Sequence, residues 1–293
     1  MVLGAWFNLV KAMVEAVFGG DSTKTTAQSV FMNLSSPSSQ FHTVWATVEN
    51  IYNQYLVPFV FCILLFMFFY ALVDKMSTTE LSFEVVGGMV CKLMLLCAFA
   101  EVSLTLAKYI IQIADGVIDL LANYANTGAA GAQVVDSVLA LLYPNGTSWD
   151  GWLAGIYEVL DSIVPVLALI IPWLVTLICE AIVKIVTLTR EIEIYTRAAF
   201  LPVALGDSYN GVTSGGARFL KNFLAVCLQG ALIVVILIIA DAMSAAYITN
   251  ISVSGSGIDA IMGVVIMPII YRVAATGLIL KSMPLAKEIC GVG

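Results

Sequence analysis

Long apolar runs dominate the chain, and short polar stretches separate them. Residues 55–73 read YLVPFVFCILLFMFFYALV without a charge, which matches the roughly 20 residues a helix needs to cross the hydrocarbon. Pro58 falls in the first turn of that run, where a missing N–H is tolerated. Phe41 to Gln54 predicts a helix that leads into it. Ser82 to Ala122 predicts one helix of about 40 residues, hence about 60 Å long and twice the hydrocarbon thickness. Its first half spans. Asp161 to Phe200 predicts a second helix of similar length, with its membrane part at about Ile163 to Val183. Pro165 sits near the start of that part and Pro172 is expected to kink it. Ala217–Ile248 and Ile258–Leu280 complete a set of about five spans, the last with Pro268 inside it.

The remaining stretches are polar or mixed. Residues 2–18, VLGAWFNLVKAMVEAVF, repeat their apolar positions at helical spacing around Lys11 and Glu15. They lack the charged front and small-residue cleavage site of a secretory signal. They predict an amphipathic helix lying in the membrane interface, or one packed on another subunit. Gly19–Gln40 reads as a Ser/Thr/Gly-rich linker. Asn123–Tyr157 is polar, weakly charged and rich in Ala and Gly; it predicts an external segment with Trp149 and Trp152 at the interface. Pro202 and Gly206 are expected to end the third long helix, with DSYNGVTSGG as the turn. Thr249–Gly257 reads as a loop and Met283–Gly293 as a tail. The organisation is therefore 1–54 external amphipathic and linker region, 55–122 first two spans, 123–160 external segment, and 161–293 three spans with an elbow at 184–221.

Composition fixes the class. The 293 residues are 60% hydrophobic and 11% charged, against about a quarter charged in a soluble domain. The predicted fold is an all-α polytopic transmembrane bundle with long helices protruding from the bilayer. The net charge of −7 argues against a sequence-wide basic surface for nucleic acid. Five of the six cysteines sit in apolar runs without metal-like spacing and read as small buried hydrophobes. The terminal CGVG is a poor prenylation box. His42 is the only histidine, so zinc chemistry and a Ser-His-Asp triad are not expected. The reading is of a non-enzyme without a cofactor.

Charge placement sets the expected topology. No Lys or Arg occurs between Lys108 and Lys184, nor between Lys221 and Arg272. Lys184, Arg190, Arg197, Arg218 and Lys221 cluster between the third and fourth spans. The positive-inside rule puts that cluster in the cytoplasm. Five spans then place the N-terminus outside, Asn123–Tyr157 outside and the C-terminus in the cytoplasm.

Three groups of residues carry possible function. Arg190, Glu191, Glu193, Arg197, Pro202, Arg218 and Lys221 form a charged elbow, read as a docking surface for a cytoplasmic partner; Glu193 and Arg197 also form a local i,i+4 pair. Lys92, Glu180 and Arg272 fall inside apolar spans at one depth. Such residues pair or face a polar cavity, so Glu180 is expected to pair with Lys92 or Arg272, although Lys184 four residues on is a local alternative. Glu101, Lys108, Asp115 and Asp119 recur near heptad spacing and so share a face. They predict a water-facing stripe, lining a passage or marking the wet side of a helix leaving the bilayer.

The segment LTREIEIYTRAAFLPVALGDSYNG, returning as GGARFLKNFLAVCLQGALIV, resembles the TrbL family, the sixth VirB subunit of type IV secretion systems. The likeness is to versions carried by conjugative elements of Gram-positive bacteria and covers about Tyr55 to Leu280. Arg190, Arg197, Pro202, Arg218 and Lys221 match best, with Trp173 a weaker match. This resemblance implies a channel or scaffold subunit in the bacterial cytoplasmic membrane. It implies self-association in a ring, with five copies expected, and a minor-pilin stalk subunit outside. It implies a secretion ATPase or coupling protein in the cytoplasm, and single-stranded DNA or relaxase as transient cargo. The long soluble C-terminal extension of some relatives is not found in this chain. A small-solute transporter is the alternative, although no inverted repeat of the kind common in that class is visible.

Overall fold

The computed structural model describes residues 2–18, 40–78, 83–127, 135–136, 139, 152–206, 215–250 and 258–291. The described residues are helical apart from turns at Lys281, Cys290 and Gly291, as the apolar periodicity dictates. In chain order they form α1 (Val2–Phe18), α2 (Gln40–Ile51), a π-helical turn (Tyr52–Leu56), α3 (Val57–Thr78), α4 (Phe83–Thr127), α5 (Trp152–Gly206), α6 (Gly215–Asn250), α7 (Ile258–Leu280) and α8 (Ser282–Ile289). The expected linker at 19–39, most of the external segment, the turn at 207–214 and the loop at 251–257 lie outside the described residues.

Four stretches are long and apolar enough to cross a membrane: Phe41–Ser77, Phe83–Tyr124, Leu169–Ala204 and Gly215–Tyr247. A fifth is available where Ile269–Leu280 and Ser282–Ile289 meet at a bend of 56°. The chain is a multi-pass helical membrane protein.

The elements differ from expectation in three places. The helix α5 runs for 55 residues and continues through Pro165, Pro172 and Pro202. Pro202 is buried inside it, and the helix ends at Gly206. Proline is accommodated in such helices because neighbouring helices re-satisfy the freed backbone groups. The tail is α8, with Ala286 buried and Lys287 in its last turn. It closes at Gly291, whose φ of 64° suits a residue without a Cβ. Finally, α2 joins α3 through a π turn in which the Val57 N–H bonds to the Tyr52 carbonyl. Pro58 follows immediately. It cannot donate to the carbonyl four residues back and its ring crowds that carbonyl. A widened turn ahead of it relieves both.

The chain packs as two units. One comprises Met1–Val30, Ile118–Thr187 and Leu232–Ser282. In it α1 packs on α7, with Val10, Met13, Val14 and Val17 buried. The apolar face of α1 is thus covered by the chain's own α7, an arrangement beyond the two expected for it. Buried Thr187 and Thr276 satisfy their hydroxyls on the carbonyls of Val183 and Arg272, at 2.9 and 2.8 Å.

The other unit comprises Phe31–Val117, Leu188–Ala231 and Met283–Gly293. Its larger core joins Trp45, Tyr52, Ile111, Ile194, Leu201 and Phe223, and a smaller one joins Val60, Leu64, Leu96 and Ala100. Tyr52 is almost fully buried. Its hydroxyl donates to the Ala100 carbonyl and lies 2.8 Å from Ser103 Oγ. The π turn sets the rotation of the chain at Tyr52 and so directs this side chain at α4.

Candidate functional site

Charged residues inside a helical membrane bundle are costly and are retained for a reason. Two such clusters are present among the described residues, one in each unit.

The larger is built on Arg190. Its position on α5 follows Thr187 by three residues and precedes Ile194 by four, all on one buried face. Arg190 is only 1% exposed and is the largest fully buried side chain described. Its Nε donates to the Val226 carbonyl and its Nη2 to the Cys227 carbonyl, both at 3.2 Å. Both acceptors are on α6. Backbone carbonyls in a helix are already committed, but each has a second lone pair that a guanidinium can use. Reaching them requires close approach, and Gly230 provides it. A Cβ at Gly230 would lie 2.5 Å from the Arg190 Cζ and 2.6 Å from Nη2. The guanidinium therefore occupies the space a side chain at 230 would take. Buried Asp115 on α4 and buried Glu191 supply the negative charge acting on it. The two hydrogen bonds tie α5 to α6, with the buried carboxylates of Asp115 on α4 and Glu191 on α5 contributing negative charge to the surroundings. Buried Gln229 lies beside the glycine in sequence.

The smaller cluster is built on Arg272 of α7. Its Nη1 lies 3.6 Å from Glu180 Oε1 on α5 and donates to the Ala16 carbonyl at 3.2 Å. Ala16 is in the last turn of α1, where carbonyls lack helical partners and the helix dipole is negative. Arg272 therefore closes the end of α1 while pairing with Glu180. Lys92, grouped with them by depth, is exposed on α4 in the other unit.

The remaining candidates separate. Of the elbow residues, Arg190, Glu191 and Pro202 are buried, Glu193 and Arg197 form a half-buried i,i+4 ion pair, and Arg218 and Lys221 are exposed on α6. The helical part of the elbow, 188–206, is packed into the second unit's cores through Ile194, Ala198, Leu201 and Val203. That corrects the expectation of a docking surface made by the whole charge cluster: two of its six charged residues, Arg190 and Glu191, are buried inside the bundle. Tyr195 sits at the edge of this core, its ring 6.4 Å from that of Trp45 and its hydroxyl donating to the Phe41 carbonyl at 3.5 Å. Of the stripe on α4, Glu101 and Asp119 are exposed and Lys108 is half-buried. Asp115, 5% exposed, departs from a water-facing stripe and lies buried, its charge acting on Arg190.

Sequence reasoning missed three contributors. Gly230 is a lone glycine within a long apolar helix, beside a glutamine, and that is a recognised signal of close approach. Tyr52 and Ser103 gave no signal before the π turn was known. No group of three or more metal-ligating side chains occurs among the described residues. In comparisons with known proteins, no family model, curated protein or solved structure matches the chain.

Proposed function

We propose that this chain is a membrane-embedded channel or scaffold subunit of a type IV secretion machine, working in conjugation in the bacterial cytoplasmic membrane. The observation that carries the reading is the segment from Arg190 to Lys221, with its resemblance to the TrbL elbow. The packing around Arg190 and Gly230 supports a rigid element there. Helices of 45 and 55 residues, α4 and α5, exceed the roughly 20 needed to span. They suit a subunit that reaches beyond the lipid to partners on both sides. On this reading the N-terminus is outside and the C-terminus cytoplasmic. Arg218 and Lys221, both exposed, face a secretion ATPase or coupling protein. The 123–160 segment meets a minor-pilin stalk, and copies of the chain associate in a ring. Single-stranded DNA or relaxase passes as cargo. The subunit positions its partners and performs no bond chemistry.

The test is deletion of the gene with complementation in trans. Loss of DNA transfer, restored by the wild-type chain and accompanied by co-purification of the secretion ATPase, is the expected result. Undiminished transfer in the deletion strain contradicts the proposal. Charged residues within candidate spans, the half-buried pair of Glu180 and Arg272 and the buried Asp115 and Arg190, favour a second reading as a small-solute transporter, because such groups also mark substrate paths. Solute uptake by the purified chain alone in liposomes distinguishes it.

A further inference from the structure

The buried charges of the second unit do not balance. Among the described residues, three charged side chains are buried: Asp115 on α4, with Arg190 and Glu191 on α5, the last 8% exposed. All three belong to that one unit. A guanidinium stays protonated in proteins. The Val226 and Cys227 carbonyls it bonds are neutral and offset none of its charge. One cation therefore faces two carboxylates, and both act on it. Among the described residues no second cation is buried with them. On α5, Arg197 is paired with Glu193. Lys108, two turns before Asp115 on α4, and Lys287 on α8 are half-buried. Arg218 and Lys221 on α6 are exposed, as is His42 on α2, where Glu49 accepts from the Trp45 ring. Tyr195 and Cys227 feel the cluster's charges and are neutral in their ordinary forms. Among the described residues Arg190 is the one cation whose charge acts on Glu191, and no hydrogen bond or ion pair reaches the Glu191 carboxylate. Fully ionised, the cluster would hold one surplus negative charge beside the core residues Ile194 and Val226. In a low-dielectric interior such a charge is removed by binding a proton.

We infer that this cluster is a proton-binding site, in which Asp115 and Glu191 together hold one proton at neutral pH. With the proton bound the cluster is neutral: one guanidinium, one carboxylate and one carboxylic acid. The two acids titrate as a pair, since both answer to the same arginine. The proton is taken from water and returned to water, and an O–H bond is the only one made or broken. Glu191 precedes Tyr195 by one turn of α5, and its charge acts on that phenol. Tyr195 is where α5 meets α2, through the Phe41 carbonyl and the Trp45 ring. Release of the proton leaves an uncompensated charge next to this contact, so the seat of α2 on α5 becomes sensitive to pH. The site requires neither the secretion subunit nor the transporter, and its test reads a protonated group and not transfer or uptake.

The test is the infrared spectrum of the full chain in detergent at neutral pH, where a protonated carboxyl shows a C=O band apart from that of carboxylates. Wild type is expected to show the band. Glu191→Gln and Asp115→Asn are each expected to lose it, because either change leaves one carboxylate to one arginine. No band in wild type, or a band undiminished in a folded variant, overturns the inference. If neither variant folds, the thermal midpoint of the wild type is followed from about pH 6 to about pH 9. There the native chain holds a proton that the unfolded chain has released, so the midpoint is expected to fall by several degrees as the pH rises. A level or rising midpoint overturns the proton site.

Discussion

Arg190 shows how one residue can carry several apparent roles in a sequence and only one in the fold. In the linear chain it stands in a dense charge cluster, and charge density is the ordinary mark of exposure. In the fold it is enclosed, with two carbonyls of α6 and the charges of Asp115 and Glu191 around it. Removing one member of a buried ion cluster costs about 3–5 kcal/mol. Arg190→Ala is therefore expected to lower unfolding stability in detergent by that order. Arg190→Lys should not rescue it, because an ammonium cannot reproduce the planar fork. Gly230→Ala tests the same clamp from the other side without touching a charge. It crowds the guanidinium and should cost about 1–3 kcal/mol. Combining Gly230→Ala with Arg190→Ala should cost less than the sum, since the clash disappears with the arginine. Strict additivity in thermal unfolding would argue against the seat. A smaller effect belongs to Tyr52→Phe, which removes a buried hydroxyl bonded to α4 and should cost about 1–2 kcal/mol.

At the scale of elements, the long apolar helices were legible because bilayer length leaves few alternatives. The helices at Ile258–Leu280 and Val2–Phe18 carry the bounds their periodicity implied. Other features needed the third dimension. Depth counting brought Glu180 and Arg272 together, but it could not see that Lys92 faces outward or that the Ala16 carbonyl also meets Arg272. Heptad spacing placed Glu101, Lys108 and Asp115 on one face of α4, yet Glu101 is exposed, Lys108 half-buried and Asp115 buried. The π turn at Tyr52–Leu56 is invisible to a 3.6-residue period, although Pro58 was its cause in plain view. The Arg272 contacts yield a prediction at this scale. Arg272→Ala should raise hydrogen exchange in α1 while leaving the amides of α3 unchanged, because the end of α1 loses its cation. Protection of α1 equal to wild type would show that its apolar face alone holds it.

For the whole molecule, topology and function rest on charge asymmetry and on the TrbL resemblance. Arg218 and Lys221 are exposed and, on the proposed reading, meet the cytoplasmic partner, whereas Arg190 and Glu191 are committed to packing. A surface test should therefore reverse Arg218 and Lys221. The double variant Arg218→Glu with Lys221→Glu is expected to insert and fold normally while losing the co-purifying ATPase. Retained ATPase would remove the docking role from those residues. A reporter fused near Gly211 should be reached only from the cytoplasm. The most direct measurement is the frequency of DNA transfer from a donor lacking this gene, with and without the wild-type chain supplied in trans. The account predicts loss of transfer in the deletion and recovery on complementation; transfer at the parental frequency without the chain would contradict it.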